Sequence, residues 1–218
     1  MSGDGLSVIG MKQIANILSV VLYPLFVPTY GVALFCYAFS TQVLPLHIAW
    51  ILVALIGTLL LTCVLPITSI WILMRQGRVS SMQIENASER TMPYLYATMG
   101  FGFWSYLMIA ILHAPVYIGF VAVGATVAIL IVSLINRRWK ISAHLTGFGG
   151  LFGGLMAYYY ANSMMPGWGT LGIWLGLTLV LMYARLYLKA HTPTQVVAGW
   201  LLGFSSTFIP YLIYSYGA

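Results

Sequence analysis

Charged residues are confined to a few short segments of this chain, and the apolar stretches between them are too long for a water-soluble fold. Four stretches contain no Lys, Arg, Asp or Glu: 13–74, 91–136, 141–184 and 192–218. A spanning helix needs about 20 apolar residues, so each of the first three stretches holds two spans and the last holds one. Hydrophobic residues make up 61% of the chain, which is typical of a bilayer-embedded bundle. The sequence therefore predicts an all-α, polytopic membrane protein of about seven spans, with one transmembrane domain over 1–218.

Turns inside the long stretches divide them into individual spans. Proline, glycine and small polar residues interrupt the apolar pattern near 40–45, 113–115 and 166–169, where they favour the end of a helix. The predicted spans are 14–39, 48–74, 93–112, 116–135, 145–162, 169–188 and 195–216. The first span also contains Pro24 and Pro28, so we expect a kink or an irregular entry there. It is too long for the core of a signal peptide and is expected to be retained.

The distribution of charge predicts the orientation of the bundle. The charged residues lie at Asp4, Lys12, 75–90, 137–140 and 185–189, and an even number of predicted spans separates each neighbouring pair of clusters. All clusters therefore share one membrane face. By the positive-inside rule this face is cytoplasmic. We expect an inner-membrane protein with its N-terminus and its charged face in the cytoplasm and its C-terminus outside.

Three of the charged segments can meet at one end of the predicted bundle. They supply side chains suited to phosphate chemistry: Arg90, Lys140, Ser142, His144, Arg185 and His191. Arginine offers a planar fork of donors for phosphate oxygens, and Ser142 stands where an N-cap would begin the fifth span. A neutral histidine can attack phosphorus while a protonated one donates to the leaving oxygen. The set indicates phosphoryl transfer without a cofactor. With only three acidic residues in the chain, no metal site is predicted.

The spacing of these residues resembles the type 2 phosphatidic acid phosphatase superfamily, which includes membrane lipid phosphatases and vanadium haloperoxidases. The family pattern is K-x6-R-P, then P-S-G-H, then S-R-x5-H-x3-D. The corresponding segments of this chain lie at 83–93, 141–144 and 185–195. They read Gln83-x6-Arg90-Thr91-Met92-Pro93, Ile141-Ser142-Ala143-His144 and Ala184-Arg185-x5-His191-x3-Gln195. The resemblance implies a six-helix phosphatase-like core with one further span.

The resemblance also implies a role for each matched residue. His191 would be the nucleophile that forms a phosphohistidine, and His144 would be the general acid for the leaving alcohol. The phosphoryl oxygens would be held by Arg90, Ser142 and Arg185. The chain departs from the pattern twice, because Gln83 replaces the family lysine and Gln195 replaces the aspartate that orients the nucleophile. Lys140 could supply the missing positive charge, and the Gln195 carbonyl could accept a hydrogen bond from His191 without adding a negative charge.

Several of these residues also have purely structural interpretations. Thr192-Pro193-Thr194-Gln195 fits a capping box, Arg185 and Lys189 could be interfacial cations, and Cys36 and Cys63 fit buried positions. Arg137 and Arg138 fit topology anchors or headgroup contacts, and His47 and His113 fit interfacial positions. The glycine pairs Gly149/Gly153 and Gly150/Gly154 are typical of closely packed helices.

Together the residues and the resemblance lead us to expect a metal-independent lipid phosphatase. Its partners would be a lipid phosphate substrate and membrane lipids, and not nucleic acid; its oligomeric state stays open. Phosphatidate, phosphatidylglycerophosphate and polyprenyl phosphates or diphosphates are all candidate substrates. Two other classes remain: a degenerate family member that binds an anionic lipid or a partner protein without turnover, and a small transporter with Arg90 and Arg185 as an intramembrane anion site.

Overall fold

The computed structural model of the chain describes residues 3–82, 84 and 87–217, apart from the side chains of 3–9 and 87. Within those residues the fold is all-helical, as predicted. The α-helices are α1 (Gly3–Val21), α2 (Val27–Gln42), α3 (Ile48–Leu59), α4 (Leu65–Arg75), α5 (Thr91–Tyr106), α6 (Val116–Ile135), α7 (Ala143–Ala161), α8 (Trp168–Tyr187) and α9 (Pro193–Gly217). A π-helical turn at Leu60–Val64 joins α3 to α4, a second at Leu107–Ile111 extends α5, and Ala87–Glu89 forms a 3₁₀ turn before α5.

The helix predicted over 14–39 is divided into two helices. α1 ends at Val21 and α2 begins at Val27, so the irregularity expected from the prolines is a complete break. Pro24 lies in the break, where a ring without an N–H group does not continue the helix. Pro28 falls in the first turn of α2, a position at which the missing N–H costs nothing. The prediction of a single span over 14–39 was therefore wrong, and this break determines what lies beside the start of α7.

Five helical segments are long and apolar enough to cross a membrane. They are Ile48–Arg75, Thr91–Ile111, Val116–Ile135, Trp168–Tyr187 and Pro193–Gly217. Each matches a predicted span to within a few residues. These segments present apolar side chains on their outer surfaces, including Phe103 at 58% exposure and Leu179 at 64%. Such surfaces are suited to lipid rather than to water, and the five apolar helices indicate a membrane protein.

Glycine allows α7 and α9 to pack backbone to backbone. A Cβ atom on Gly149 would collide with the Trp200 carbonyl oxygen, and one on Gly203 with the Thr146 carbonyl oxygen. The small-residue pair Gly149/Gly153 therefore faces α9, and the close helix approach predicted from its spacing is confirmed. Gly154 instead faces α6, where an added Cβ would lie 3.2 Å from Val121. Because α9 begins shortly after His191 and α7 begins at Ala143, this contact holds the two histidine-bearing segments side by side.

Candidate functional site

A cavity of about 930 Å³ lies inside the helix bundle. Its walls come mainly from α2, α5, α6 and α7, and side chains from the loops after α6 and α8 line one end. Five of the seven predicted site residues line this cavity: Arg90, Lys140, His144, Arg185 and His191. The volume falls in the range of about 300–1,000 Å³ that is usual for small-molecule sites. The segments that resemble the phosphatase motifs thus converge on one space.

The polar end of the cavity is strongly cationic. Arg90, Lys140, Arg185 and Lys189 line it, whereas no Asp or Glu does so among the residues that the structure describes. Arg90 is 9% exposed and donates from Nε to the Ile84 carbonyl oxygen at 3.0 Å. Since nearby cations favour bound anions, this end of the cavity is suited to a phosphate group.

Arg185 retains unused donor capacity. Its Nε atom is buried and has no hydrogen-bond partner among the described residues. A buried guanidinium N–H without an acceptor is costly, and this cost is removed when an anion supplies the acceptor. Arg185 comes from the last turn of α8, but it lines the cavity and its Nε is buried, unlike an interfacial cation pointing to the headgroups. An anion bound in the cavity could supply the acceptor that Arg185 Nε lacks.

His191 is oriented by a main-chain carbonyl group. Its Nδ1 lies 3.1 Å from the Lys140 carbonyl oxygen. Because that oxygen can only accept, Nδ1 carries the proton, and the lone pair of the neutral ring is on Nε2. Burial, followed by the nearby Arg185 guanidinium, lowers the pKa of His191 from 6.5 to about 4, although the Lys140 carbonyl and the Gln195 side chain favour the proton. His191 is therefore neutral at physiological pH, and its Nε2 lone pair is unprotonated.

His144 is held in the same way by a different segment. Its Nε2 lies 3.0 Å from the Ser19 carbonyl oxygen near the end of α1. The Tyr23 ring meets the imidazole edge-on, at a centroid distance of 5.6 Å and an interplanar angle of 90°. The break between α1 and α2 thus brings Ser19 and Tyr23 against His144. With Nε2 donating to Ser19, Nδ1 is the atom of His144 that can exchange a proton with a ligand.

Ser142 and Gln195 do not line the cavity. Ser142 is the N-cap of α7, as predicted; its hydroxyl accepts from the Leu145 N–H at 3.5 Å, and the residue is fully buried. Its main-chain N–H donates to the Gln195 carbonyl oxygen at 3.3 Å. The position fits a residue that sets the start of α7, two residues before His144, rather than one that touches a ligand in the cavity.

Gln195 caps the start of α9. Its side-chain Oε1 accepts from the Thr192 main-chain N–H at 3.0 Å, which is half of the capping box predicted from the sequence. The Thr192 hydroxyl pairs with the Thr194 hydroxyl at 3.0 Å instead of completing the box. Gln195 shares a shallow surface depression with Lys140 and His191. The hydrogen bond that orients His191 through Nδ1 comes from the Lys140 carbonyl, at the place where the family pattern implies a carboxylate.

Two polar residues at the site, the buried Asn136 and the partly buried Tyr94, were not predicted from the sequence. Asn136 is 2% exposed and donates from Nδ2 to the Tyr94 hydroxyl at 3.2 Å, and both residues line the cavity. Their pairing lets the Tyr94 hydroxyl donate a further hydrogen bond into the polar end. The signal in the sequence was a lone amide at the end of an otherwise apolar stretch. Main-chain contributions from Ser19 and Lys140 had no signal at all, because every residue has a carbonyl group.

Several residues with structural interpretations lie away from the cavity. Arg137, Arg138, His47 and His113 are not among its lining residues. Cys36 and Cys63 are buried and free, as predicted. The first motif position, Gln83, lies outside the described residues. No group of three or more His, Cys, Asp or Glu that could hold a metal ion occurs in the described part of the chain.

The cavity combines the parts that phosphoryl transfer requires. A neutral imidazole with its lone pair on Nε2 can attack phosphorus, a second imidazole can pass a proton through Nδ1, and Arg185 can bind a phosphoryl oxygen. No protein-family model, curated protein or solved structure matches this chain. The similarity to the lipid phosphatases thus rests on the three short motif segments.

Proposed function

We propose that this protein is a membrane lipid phosphatase of the type 2 phosphatidic acid phosphatase kind. The proposal is supported above all by one observation: His191, neutral and held through Nδ1, lines the same cationic cavity as His144 and the unsatisfied Arg185. A cavity with cations, two histidines and no lining carboxylate among the described residues favours a phosphate ligand over a cation or a peptide. The apolar remainder of the cavity favours a lipid over a soluble phosphate ester.

The proposed reaction proceeds in two steps. The lipid phosphate binds as its monoanion and passes its remaining proton to Nδ1 of His144. The Nε2 lone pair of His191 attacks phosphorus, the bond from phosphorus to the lipid oxygen breaks, and His144 donates this proton to the departing oxygen. Arg90 and Arg185 stabilise the charge that develops on the phosphoryl oxygens. Water then attacks the phosphohistidine while His144 recovers a proton from it. The products are the lipid alcohol and inorganic phosphate, and His191 returns to its neutral form.

The geometry of His191 also supports turnover in spite of Gln195. A charged partner would hold the ring and stabilise imidazolium, and in the serine-protease triad the replacement of that aspartate by asparagine lowers turnover about 10⁴-fold through the wrong tautomer. A main-chain carbonyl can only accept a hydrogen bond. It therefore stabilises the His191 tautomer with its proton on Nδ1 and its lone pair on Nε2. The Lys140 carbonyl thus supplies the orientation, although not the negative charge.

We further propose that the bundle has seven spans. The short α2 (Val27–Gln42) and the glycine-rich α7 (Ala143–Ala161) would join the five long segments, with α3 and α4 together forming one span. α1 would lie at the charged face, since its last turn contacts His144 at the start of α7. The protein would lie in the inner membrane, with the polar end of the cavity on the cytoplasmic side. The C-terminus of the chain would lie on the opposite side.

Phosphate release by purified protein tests the proposed activity. The panel is phosphatidate, phosphatidylglycerophosphate, a polyprenyl phosphate and a polyprenyl diphosphate. We expect release from at least one of them, loss of release in His191→Asn, and an acid-labile phosphoryl group on His191 when the reaction is quenched early. His113→Asn is the matched control, because His113 has a φ of 46°, which asparagine tolerates, and it lies outside the cavity.

A catalytically degenerate protein that binds an anionic lipid or a partner protein is the second candidate. The replacement of the family lysine and aspartate by Gln83 and Gln195 favours it. In that case wild type, His191→Asn and His113→Asn would all release phosphate at background level while remaining folded. Binding of the same lipids would then persist in wild type and weaken when Arg185 is replaced.

A further inference from the structure

The apolar part of the cavity extends along the bundle from the polar end. On α6 its lining residues run from Val132 to Ile118, and on α7 they run from His144 to Tyr158. Each interval covers about 21 Å at a rise of 1.5 Å per residue. One leaflet of the hydrocarbon core is about 15 Å thick. The cavity therefore reaches past the middle of a bilayer that encloses the bundle.

Small residues form part of the wall of this space. Ala97, Ala125, Ala128, Gly147, Gly150 and Gly154 line the cavity on α5, α6 and α7. Larger apolar side chains complete the wall, and beyond the polar end no Lys, Arg, Asp, Glu or His lines the cavity among the described residues. An ion would lose its hydration there without compensation, whereas a hydrocarbon chain would not.

Aromatic rings form the far end. Phe35, Trp50 and Tyr158 line the cavity there, and the Phe35 ring lies 6.1 Å from Trp50 and 6.4 Å from Tyr158 between centroids. The indole Nε1 donates to the Leu112 carbonyl oxygen at 2.8 Å, and the Tyr158 hydroxyl donates to Gln42 Oε1 at 3.0 Å. Two of the three rings are thus fixed by hydrogen bonds, so the end is a rigid wall.

We propose that this cavity holds the hydrocarbon chain of the lipid phosphate inside the protein, and that Phe35, Trp50 and Tyr158 set the longest chain that fits. This inference rests on the proposed function in one respect, which is that the phosphate group binds at the polar end of the cavity. The chain then points from Arg185 towards the aromatic wall. Specificity for chain length is a property of the cavity and not of the reaction, so it can be measured without turnover.

Binding of alkyl phosphonates of increasing chain length tests the proposal, because their carbon–phosphorus bond is not hydrolysed. The protein is placed in lipid nanodiscs, empty nanodiscs are subtracted, and affinity is expressed against the aqueous concentration. Each buried methylene strengthens binding about fourfold, the equivalent of about 0.8 kcal/mol. If the alkyl chain lies in the bilayer, affinity continues to rise with every added methylene. If it lies in a cavity that is closed at its far end, affinity stops rising at one chain length. We expect that limit in wild type.

Three variants locate the limit. Ala125→Phe places a ring midway along the cavity and should stop the increase at a shorter chain. Phe35→Ala removes part of the aromatic wall and should move the limit to a longer chain. Val123→Phe is the matched control, because Val123 is on the same helix but 45% exposed on its outer surface, and it should leave the limit unchanged. The same limit in all four proteins, or no binding at any length, would overturn the proposal.

Photolabelling of wild type gives a readout that needs no variant. An alkyl phosphonate with a diazirine at the chain end should label Phe35, Trp50 or Tyr158, and labelling confined to outward-facing residues such as Val123 would contradict the proposal. The two inferences can fail separately. A length limit without phosphate release from the matching alkyl phosphates overturns the phosphatase alone, and release without a length limit overturns the chain site alone.

Discussion

His191 donates through Nδ1 to the main-chain carbonyl of Lys140, over 3.1 Å and across 51 positions of sequence. The pairing joins the loop before α7 to the loop before α9. The group that orients His191, the candidate nucleophile, is therefore a main-chain carbonyl, which a substitution of the Lys140 side chain does not remove.

Replacing Gln195 should affect stability more than turnover. In Gln195→Ala the Thr192 N–H loses its partner at 3.0 Å, so we expect the free energy of unfolding to fall by about 1 kcal/mol. His191 stays oriented by Lys140, so kcat should change by less than about threefold, within about 0.7 kcal/mol. Thermal unfolding and phosphate release measure the two effects. A loss of kcat as large as that of His191→Asn would show that Gln195 orients the nucleophile after all.

The low pKa of His191 predicts its reactivity at acid pH. Only the neutral ring is nucleophilic, so reactivity is complete above the pKa of about 4 and is lost as the pH falls through it. Carbethoxylation of His191, followed by peptide mass spectrometry, should therefore show a midpoint near pH 4. A midpoint at the ordinary histidine value of about 6.5 would contradict the burial and the Arg185 contact that lower this pKa.

Gln195→Glu should shift the same titration upwards. Glutamate retains the capping interaction with Thr192 and adds a negative charge near His191, which favours imidazolium. The carbethoxylation midpoint should therefore rise above that of wild type. An unchanged midpoint would place the new carboxylate too far from the ring to act on it, and Gln195→Ala provides the uncharged comparison.

Arg185 should contribute to activity at the expense of stability. Its buried Nε has no partner among the described residues, so Arg185→Met removes a buried donor without an acceptor and should leave the melting temperature unchanged or raise it. Phosphate binding should weaken about 10- to 100-fold, as expected for charge-assisted hydrogen bonds worth about 1.5–3 kcal/mol. Arg75→Met is the control, since Arg75 is exposed and lies over the Trp71 ring at 5.0 Å. Clear destabilisation by Arg185→Met would indicate a structural role.

The close packing of α7 and α9 predicts opposite effects for two glycine substitutions. In Gly203→Ala the new Cβ meets the Thr146 carbonyl oxygen, so the helices must separate, at a cost of about 1–3 kcal/mol in unfolding free energy. In Gly172→Ala on α8 the Cβ meets nothing within 4 Å, and the helix gains about 0.5–1 kcal/mol. Thermal unfolding of both variants in the same detergent measures the difference, and equal melting temperatures would refute the packing argument.

Much of the fold was predictable from the sequence, because a bilayer leaves few alternatives. Long uncharged stretches must form helices, since lipid offers no partners to the backbone, and the five long apolar segments lie where the pattern placed them. The N-cap at Ser142 and the Gln195 cap also depend on residues close in sequence, and local patterns predict them. The spacing of Arg185 and His191 was likewise visible, because the two residues lie close together in the chain.

Only the tertiary structure decided how these residues are used. The break at Pro24 was expected as a kink, but its effect, the contact of the Ser19 carbonyl with His144, depends on how α1 docks. The Lys140 carbonyl that holds His191 has no sequence signature, since all residues share the peptide group. The cavity itself is lined by residues from helices far apart in the chain, and of the small residues in its apolar part only Gly150 and Gly154 had been interpreted from the sequence, as a helix-packing pair. Sequence thus determined the five long apolar helices and the candidate residues for chemistry, whereas the long-range packing of backbones determined what each of those residues touches.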